Sequence, residues 1–261
     1  KFAPELAGDD LAAVIDAWQA WAPNGPDELA ASLKVTASDE VERPPSVDVY
    51  AAVLGPGMGA DGLIGELVSR AGSDPSSSSA ERLSFEGTRR FWANLGEANS
   101  APEDAATPPE PVFMFSKSAF FRRPLPAEAV VVLLDAFARD RADGESRQLD
   151  FMPWGGAYNR IRPDATAFVH REERFQLKHA VTVQTGASPE EEQAAHAHMA
   201  RSWGTVHPRG SGRVFQNFAD PDLEDWPAAY YGPNLERLMQ VKERYDPKNV
   251  FRSEQSLGSL R

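Results

Sequence analysis

The chain contains no cysteine, which excludes disulfides and thiolate metal sites within it and leaves its redox compartment open. No apolar run approaches the ~20 residues of a membrane span, and no basic-then-apolar leader precedes a small-residue cleavage site. Basic residues are the minority, 27 against 39 acidic, for a net charge of −12. A phosphate backbone or an anionic membrane surface would be repelled over most of such a surface, so neither nucleic acid nor a membrane is expected as a partner. There is no Gly-x-Ser-x-Gly elbow, and Ser211 stands in a Gly-rich turn, so serine chemistry drops out. The carboxylates are spread over helices and loops and give a paired-carboxylate mechanism no anchor. No internal repeat is visible.

What is present suits a folded domain. With 261 residues, 41% of them hydrophobic and 10% aromatic, the chain can bury one large core or two modest ones. Leu11, Val14, Ile15, Trp18 and Trp21 recur at steps of three and four, which predicts a helix over Asp9–Ala22 with Asp9 as its cap. Strands are expected at 28–36, 46–54, 111–120, 148–152, 165–169, 174–184 and 214–218, with a short strand leading into an aromatic helix over 82–95. Helices are expected at 61–70, 126–140 (buried face Val130, Val131, Leu134, Phe137), 189–203 and 235–245. The last of these is read as capped by Asn234. Residues 73–80 and 97–111 read as polar loops. Strands adjacent in sequence or joined by one helix point to an α+β layer, an antiparallel sheet with helices packed on one face.

Two patterns are decoys. Gly57-Met-Gly59-Ala-Asp-Gly62 satisfies the dinucleotide pattern G-x-G-x-x-G, but no series of parallel βαβ units follows, and a permissive glycine turn explains it. His196 and His198 are two apart on a helix and point to different faces, whereas helical ligand pairs sit three or four apart. They read as solvated surface histidines, and no metal site is expected.

The most particular stretch is 230–257: Tyr231-Gly232, a helix carrying Leu235, Leu238 and Lys242, the turn Tyr245-Asp246-Pro247-Lys248-Asn249, then Phe251 and Gln255-Ser256. With Phe215-Gln216-Asn217-Phe218, Pro153-Trp154-Gly155-Gly156 and His170-Arg171, it resembles the berberine bridge enzyme-like flavoproteins of the vanillyl-alcohol-oxidase type. The resemblance implies a substrate-binding domain at 1–205 and a C-terminal segment at 206–261 that returns to an FAD-binding domain not contained in the chain. The abrupt start at Lys1, without Met, is expected of a fragment or cleaved product. Localisation is left open, with the cytoplasm favoured over secretion.

In such enzymes the free sheet face closes over the flavin, and a hydride passes from a substrate C–H (alcohol, sugar or natural product) to flavin N5. The resemblance makes Asn217, Phe215 and Phe218 the FAD-contacting residues, with the rest of the cofactor held by the absent N-terminal domain. It makes Met152 and Trp154 an apolar wall for a small-molecule substrate. His170 is expected to serve hydrogen bonding. The family's tyrosines flanking the Asn are phenylalanines here, and a phenyl ring cannot take a proton. Tyr158, and after it Lys34, are therefore the candidate catalytic bases; the alternative is that the substrate's own ionisation or a residue of the N-terminal domain supplies the proton acceptor. The absence of cysteine also excludes a cysteinyl flavin link within this chain. The alternative from another class is a non-catalytic binding domain derived from that family.

Overall fold

The structure, a computed structural model, describes residues 8–55, 59–96 and 113–260. Its framework is one five-stranded sheet in the order β2-β1-β4-β5-β3. The strands are β1 (Leu29–Ala37), β2 (Ser46–Val53), β3 (Phe113–Phe121), β4 (Glu145–Pro153) and β5 (Phe175–Val183). Every neighbouring pair is antiparallel, so the G-x-G-x-x-G match has no parallel crossover to serve; residues 56–58 of it lie outside the described residues. Period-two alternation sends Ala31, Leu33, Val35 and Ala37 of β1, with Leu149 and Phe151 of β4 and Leu177 of β5, to one buried face. The intervening residues form the opposite face.

Helices cover the apolar face. They are α1 (Gly8–Trp21), α2 (Ala60–Ala71), α4 (Ala127–Ala138) and α5 (Pro189–Val206), with α3 (Phe85–Gly96), α6 (Trp226–Tyr231) and α7 (Leu235–Tyr245) elsewhere along the chain. The whole predicted stripe of α1 is buried. Trp18 meets the rings of Phe151 and Phe175 edge-on at 5.7 and 6.0 Å, and its indole N–H donates to the Ala31 carbonyl at 2.9 Å. Burying such a side chain contributes about 2–3 kcal/mol. On α4 the buried face is Val130, Leu133, Leu134 and Phe137, while Val131 is 44% exposed. The stripe follows i, i+3, i+4, i+7 from Val130, and Val131 falls one step off it.

Buried polar groups tie the layers together. Arg147 donates from Nη1 to the carbonyls of Phe137 and Arg139, at 2.7 and 2.6 Å, and from Nη2 to that of Asp140 at 2.7 Å. It also pairs with Glu145. Since α4 has no basic residue in its last turn, this strand arginine supplies both the donors and the positive charge its C-terminus needs. At the start of α5, Ser188 Oγ accepts from the Glu191 N–H at 3.3 Å, and a Glu191 carboxylate oxygen accepts from the Ser188 N–H at 2.7 Å. Replacing Ser188 with Ala should lower stability by about 1 kcal/mol. A urea midpoint unchanged by Ser188→Ala would show that this reciprocal cap contributes nothing.

Several local expectations are corrected. Residues 165–169 are not a strand; the segment is held by side chains, with Arg171 donating to Thr166 Oγ1 and the Phe168 carbonyl. Residues 82–84 are not a strand either, and α3 begins at Phe85. Residues 214–218 form no strand: the Val214 N–H donates to the Ala229 carbonyl, and the Phe218 N–H turns back to that of Phe215 at 2.9 Å. Asn234 does not cap α7. Its amide donates instead to the carbonyls of Pro163 and Thr166 at 2.7 and 3.1 Å, fastening α7 to the 163–166 loop. α1 already includes Gly8 and Asp9, and what precedes it, like the loop at 97–111, lies outside the described residues.

Candidate functional site

The second sheet face is polar. One continuous cross-strand row runs Asp48, Lys34, Asp150, Lys178, Ser118 from β2 to β3, with neighbouring Cβ atoms about 5 Å apart in such rows. Four charges of alternating sign therefore lie side by side. Tyr50 shares the face and hydrogen-bonds Asp48; burial, followed by the charges of Asp48 and Asp150, pushes its hydroxyl pKa up to about 12. Burial raises the pKa of Asp150, opposed by the ammonium groups of Lys34 and Lys178. Among the described residues the Asp150 carboxylate accepts no hydrogen bond and forms no ion pair. In the next row of β5, paired with Met152 and Phe120, Gln176 is fully buried and neither its Nε2 nor its Oε1 has a partner. An amide with both ends unspent in a low-dielectric position is costly unless something else completes it.

Beyond the end of β4 this face borders an aromatic cavity of about 300 Å³, lined by Trp154, Tyr158, Phe168, Arg171, Phe215, Gln216 and Asn217. Gly155 and Gly156 have φ of 150° and 56°, a left-handed turn that returns the chain so that Tyr158 stacks on Trp154 at 5.5 Å. Phe168 stacks on Trp154 at 5.8 Å and Phe215 meets it edge-on at 5.4 Å. The Trp154 indole N–H is buried without a partner. Arg171 lies 4.7 Å over Phe168 and donates to the Tyr158 carbonyl. His170 sits behind the wall, 4.6 Å from Phe120, with Nε2 against Gln216 Oε1 at 3.2 Å. Its burial lowers its pKa to about 4, the Gln216 bond opposing. Its Nε2 is spent on the Gln216 hydrogen bond, while its Nδ1 is buried without a partner.

The candidate residues gather in two adjoining places. Trp154, Tyr158, Phe215 and Asn217 surround the cavity, while Lys34 and Met152 belong to the polar sheet face. Phe218 joins them, packed 5.4 Å from Phe215 with the Lys178 ammonium 4.9 Å from its ring centre. A strand over 214–218 would put Gln216 and Phe218 on the face opposite Phe215 and Asn217. Because 215–218 is a turn, Gln216 lines the cavity instead. Sequence reasoning missed Asp48, Tyr50, Asp150, Gln176 and Lys178. Their signal is the placement of charged or amide residues at alternate positions of strands whose other positions are apolar.

The surface-histidine reading holds for His196, which pairs with Asp222 at 2.9 Å in partial exposure, but not for His198, which is 3% exposed under α5. Two positions from His196, it falls on the other face of the helix, where it lies with the buried Ala195, Met199 and Ser202 of α5. Among the described residues no group of three ligand-type side chains could hold a metal ion.

The terminal motif has a physical basis. Asp246 accepts from the N–H groups of Val250 and Phe251 at 2.7 and 3.1 Å and pairs with Lys242, which also donates to the Phe251 carbonyl. The Tyr230 hydroxyl accepts from the Asp220 N–H at 3.0 Å and donates to Gln255 Oε1 at 3.1 Å. The segment is thus closed on itself by side chains, and α7 contains no buried residue.

Comparisons with known proteins agree with this picture. Residues 214–258 match the family model described as berberine and berberine like. The uncharacterized FAD-linked oxidoreductase YgaK of Bacillus subtilis (strain 168) is 28% identical over 97% of this chain and 51% of its own length. Berberine bridge enzyme-like 7 of Arabidopsis thaliana is 26% identical over 98% of this chain and 50% of its own. Among solved structures, the wild-type BBE-like 1 of Physcomitrella patens shares the fold with a TM-score of 0.71 at 22% identity, over 95% of this chain and 52% of that one. Aclacinomycin oxidoreductase does so with a TM-score of 0.71 at 21% identity, over 97% and 52%. The fold and these matches make the chain similar to one portion of the FAD-linked oxidoreductases. Within that group the likeness is to berberine bridge enzyme-like proteins, and residues 214–258 carry the berberine-like segment. It spans about half the length of the curated relatives it matches.

Proposed function

We propose that this chain supplies the substrate-binding sheet and the returning terminal segment of an FAD-dependent oxidoreductase that removes a hydride from a substrate C–H. The observation that carries the reading is the polar sheet face beside an aromatic cavity, both holding buried polar atoms without partners. The Gln176 amide and the Trp154 indole N–H suit the carbonyl and ring-nitrogen edge of a flat heteroaromatic ring, and Asn217, Phe215 and Phe218 stand where such a ring would be held. When bound, a flavin supplies the hydride acceptor. The chain's own residues position the reacting carbon and exclude water: Met152 and Trp154 form the apolar wall, and Arg171 fixes the Tyr158 loop. Tyr158 and Lys34 are the residues first in line to exchange a proton with the substrate. In this reading residues 1–205 bind a small-molecule alcohol, sugar or natural product. Residues 206–261 face an FAD-binding domain of the same protein, which holds the diphosphate and adenosine, and the exposed Tyr245, Val250 and Phe251 meet that domain.

The test is the absorption spectrum of the full-length gene product. Flavin bands near ~370 and ~450 nm that bleach on anaerobic addition of an alcohol are expected if hydride transfer occurs. A folded, colourless full-length protein would favour the other reading, a binding domain whose Phe215 and Phe218 lack the hydroxyls that proton transfer requires.

A further inference from the structure

We propose that Trp154 and Tyr158 form an electron relay, in which an oxidising equivalent arising in the aromatic cavity passes from the Trp154 indole to the Tyr158 phenol and is discharged at the protein surface. The relay is a property of these two side chains; its purpose, clearing strong oxidants from a redox site, rests on the oxidoreductase reading above.

The surroundings of Trp154 leave one way out. Among the described residues four rings lie against it: Phe120 at 5.1 Å, Phe215 at 5.4 Å, Tyr158 at 5.5 Å and Phe168 at 5.8 Å. A benzene ring is far harder to oxidise than an indole, whereas a phenol whose proton can reach water is slightly easier. The three phenylalanines are therefore insulating, and Tyr158 is the neighbour that can take up the charge. Its ring is stacked on the indole with 27° between the planes, so the two π systems overlap. At 56% exposure its hydroxyl proton has water to go to. The Trp154 indole N–H is buried without an acceptor. An indole radical cation there keeps its proton, and with it an oxidising strength that the deprotonated radical would lack.

The stack is held from several sides. Gly155 and Gly156, with φ of 150° and 56°, return the chain over the indole. Arg171 then donates to the Tyr158 carbonyl at 3.1 Å, the Asn159 amide donates to the Glu173 carbonyl at 2.8 Å, and Arg160 pairs with Asp27. Residues 158, 159 and 160 are thus each tied to another part of the chain.

Electrons and protons balance. A one-electron oxidant derived from peroxide takes one electron from the Trp154 indole and is itself reduced. Tyr158 gives one electron to the indole and its hydroxyl proton to water, which restores Trp154 and leaves a neutral phenoxyl radical. A soluble thiol or ascorbate donates a hydrogen atom to the phenoxyl oxygen, so Tyr158 is restored and the radical ends on the small molecule.

The experiment is pulse radiolysis of the full-length protein with the azide radical, which removes one electron from indoles faster than from phenols at neutral pH. In the wild type the indolyl absorption should decay in a first-order phase, independent of protein concentration, with matching growth of the phenoxyl absorption. Tyr158→Phe keeps the stacked ring and removes only the oxidisable hydroxyl; it and Trp154→Phe should each lose the same part of that growth. Peptide mapping after irradiation gives a second readout, with Trp203 and Trp226 as internal references. Trp154 should be spared in the wild type and carry several-fold more oxygenated product in Tyr158→Phe, and Tyr158→Trp, which restores an oxidisable ring, should lower it again. Phenoxyl growth undiminished in Tyr158→Phe, or Trp154 oxygenated equally in the wild type and Tyr158→Phe, overturns the relay and leaves the oxidoreductase reading standing. Neither readout depends on turnover, so a full-length protein that carries no flavin yet passes both keeps the relay and sinks that reading.

Discussion

Lowering the pH from 7 to 5 is expected to remove on the order of 5 kcal/mol from the stability of the fold. Three buried histidines are the cause. Burial lowers the pKa of His170 to about 4, of His179 to about 3 and of His198 to about 4. Nearby positive groups add to the effect, Arg213 and Arg171 at His170 and Arg147 and Arg201 at His198, and a charge on His198 would disfavour one on His179. Each imidazole is therefore neutral in the fold at a pH where the unfolded chain, titrating near ~6.5, already binds the proton. Their stabilising contribution is complete above the unfolded value and is lost as pH falls through the window between it and the folded values, at about 1.4 kcal/mol per pH unit for each group. Glu173 and Asp150, whose carboxyls burial pushes up, act in the opposite sense and return part of the loss. Urea unfolding at pH 7 and pH 5 measures the difference, and His198→Gln should narrow it by roughly a third even though it removes a buried side chain. An unfolding free energy that is flat between the two pH values would mean that these imidazoles are not held neutral by the fold.

Periodicity carried most of the framework because burial on one face leaves a regular trace in the residues. The stripe of α1 and the two strands of the β1–β2 hairpin fall where their spacing puts them. The aromatic segment 214–218 misled for a physical reason: apolar content signals burial, and burial can be reached by a turn closed through its own backbone as well as by a strand. Tyr158, Trp154 and Asn217 could be chosen from the family resemblance, and the fold does gather them at one cavity. The charged row could not be seen in the same way. Lys34 on β1 is 116 residues from Asp150 on β4, and only the register of the β1–β4 pairing makes them neighbours. A shift of one residue in either strand would have sent the charges into the core, so the row depends on pairing geometry that a single strand's alternation cannot specify.

Replacing Lys117 with Met should cost about 3–5 kcal/mol, because it strands a buried carboxylate. Lys117 is on β3 with its ammonium 2.8 and 2.9 Å from the two carboxylate oxygens of Asp220, 3.1 Å from Asp222 and 5.5 Å from the ring centre of Trp203. Asp220 is 2% exposed. Its backbone N–H donates to the Tyr230 hydroxyl and its carbonyl accepts from Gln255, so the lysine anchors the berberine-like segment to the sheet that carries the charged row. In Lys117→Met the Asp220 charge has lost its principal partner, and the segment should loosen before the sheet does. Amide exchange should therefore accelerate over 218–231 and 253–257 more than in β4 and β5. Adding Asp220→Leu should recover most of the lost stability, since removing both charges removes the desolvation penalty as well as the attraction. A double variant no more stable than Lys117→Met would assign the loss to packing around Trp203, and a single variant within 1 kcal/mol of wild type, about the ceiling for a solvent-exposed pair, would show that water reaches this pair despite its burial.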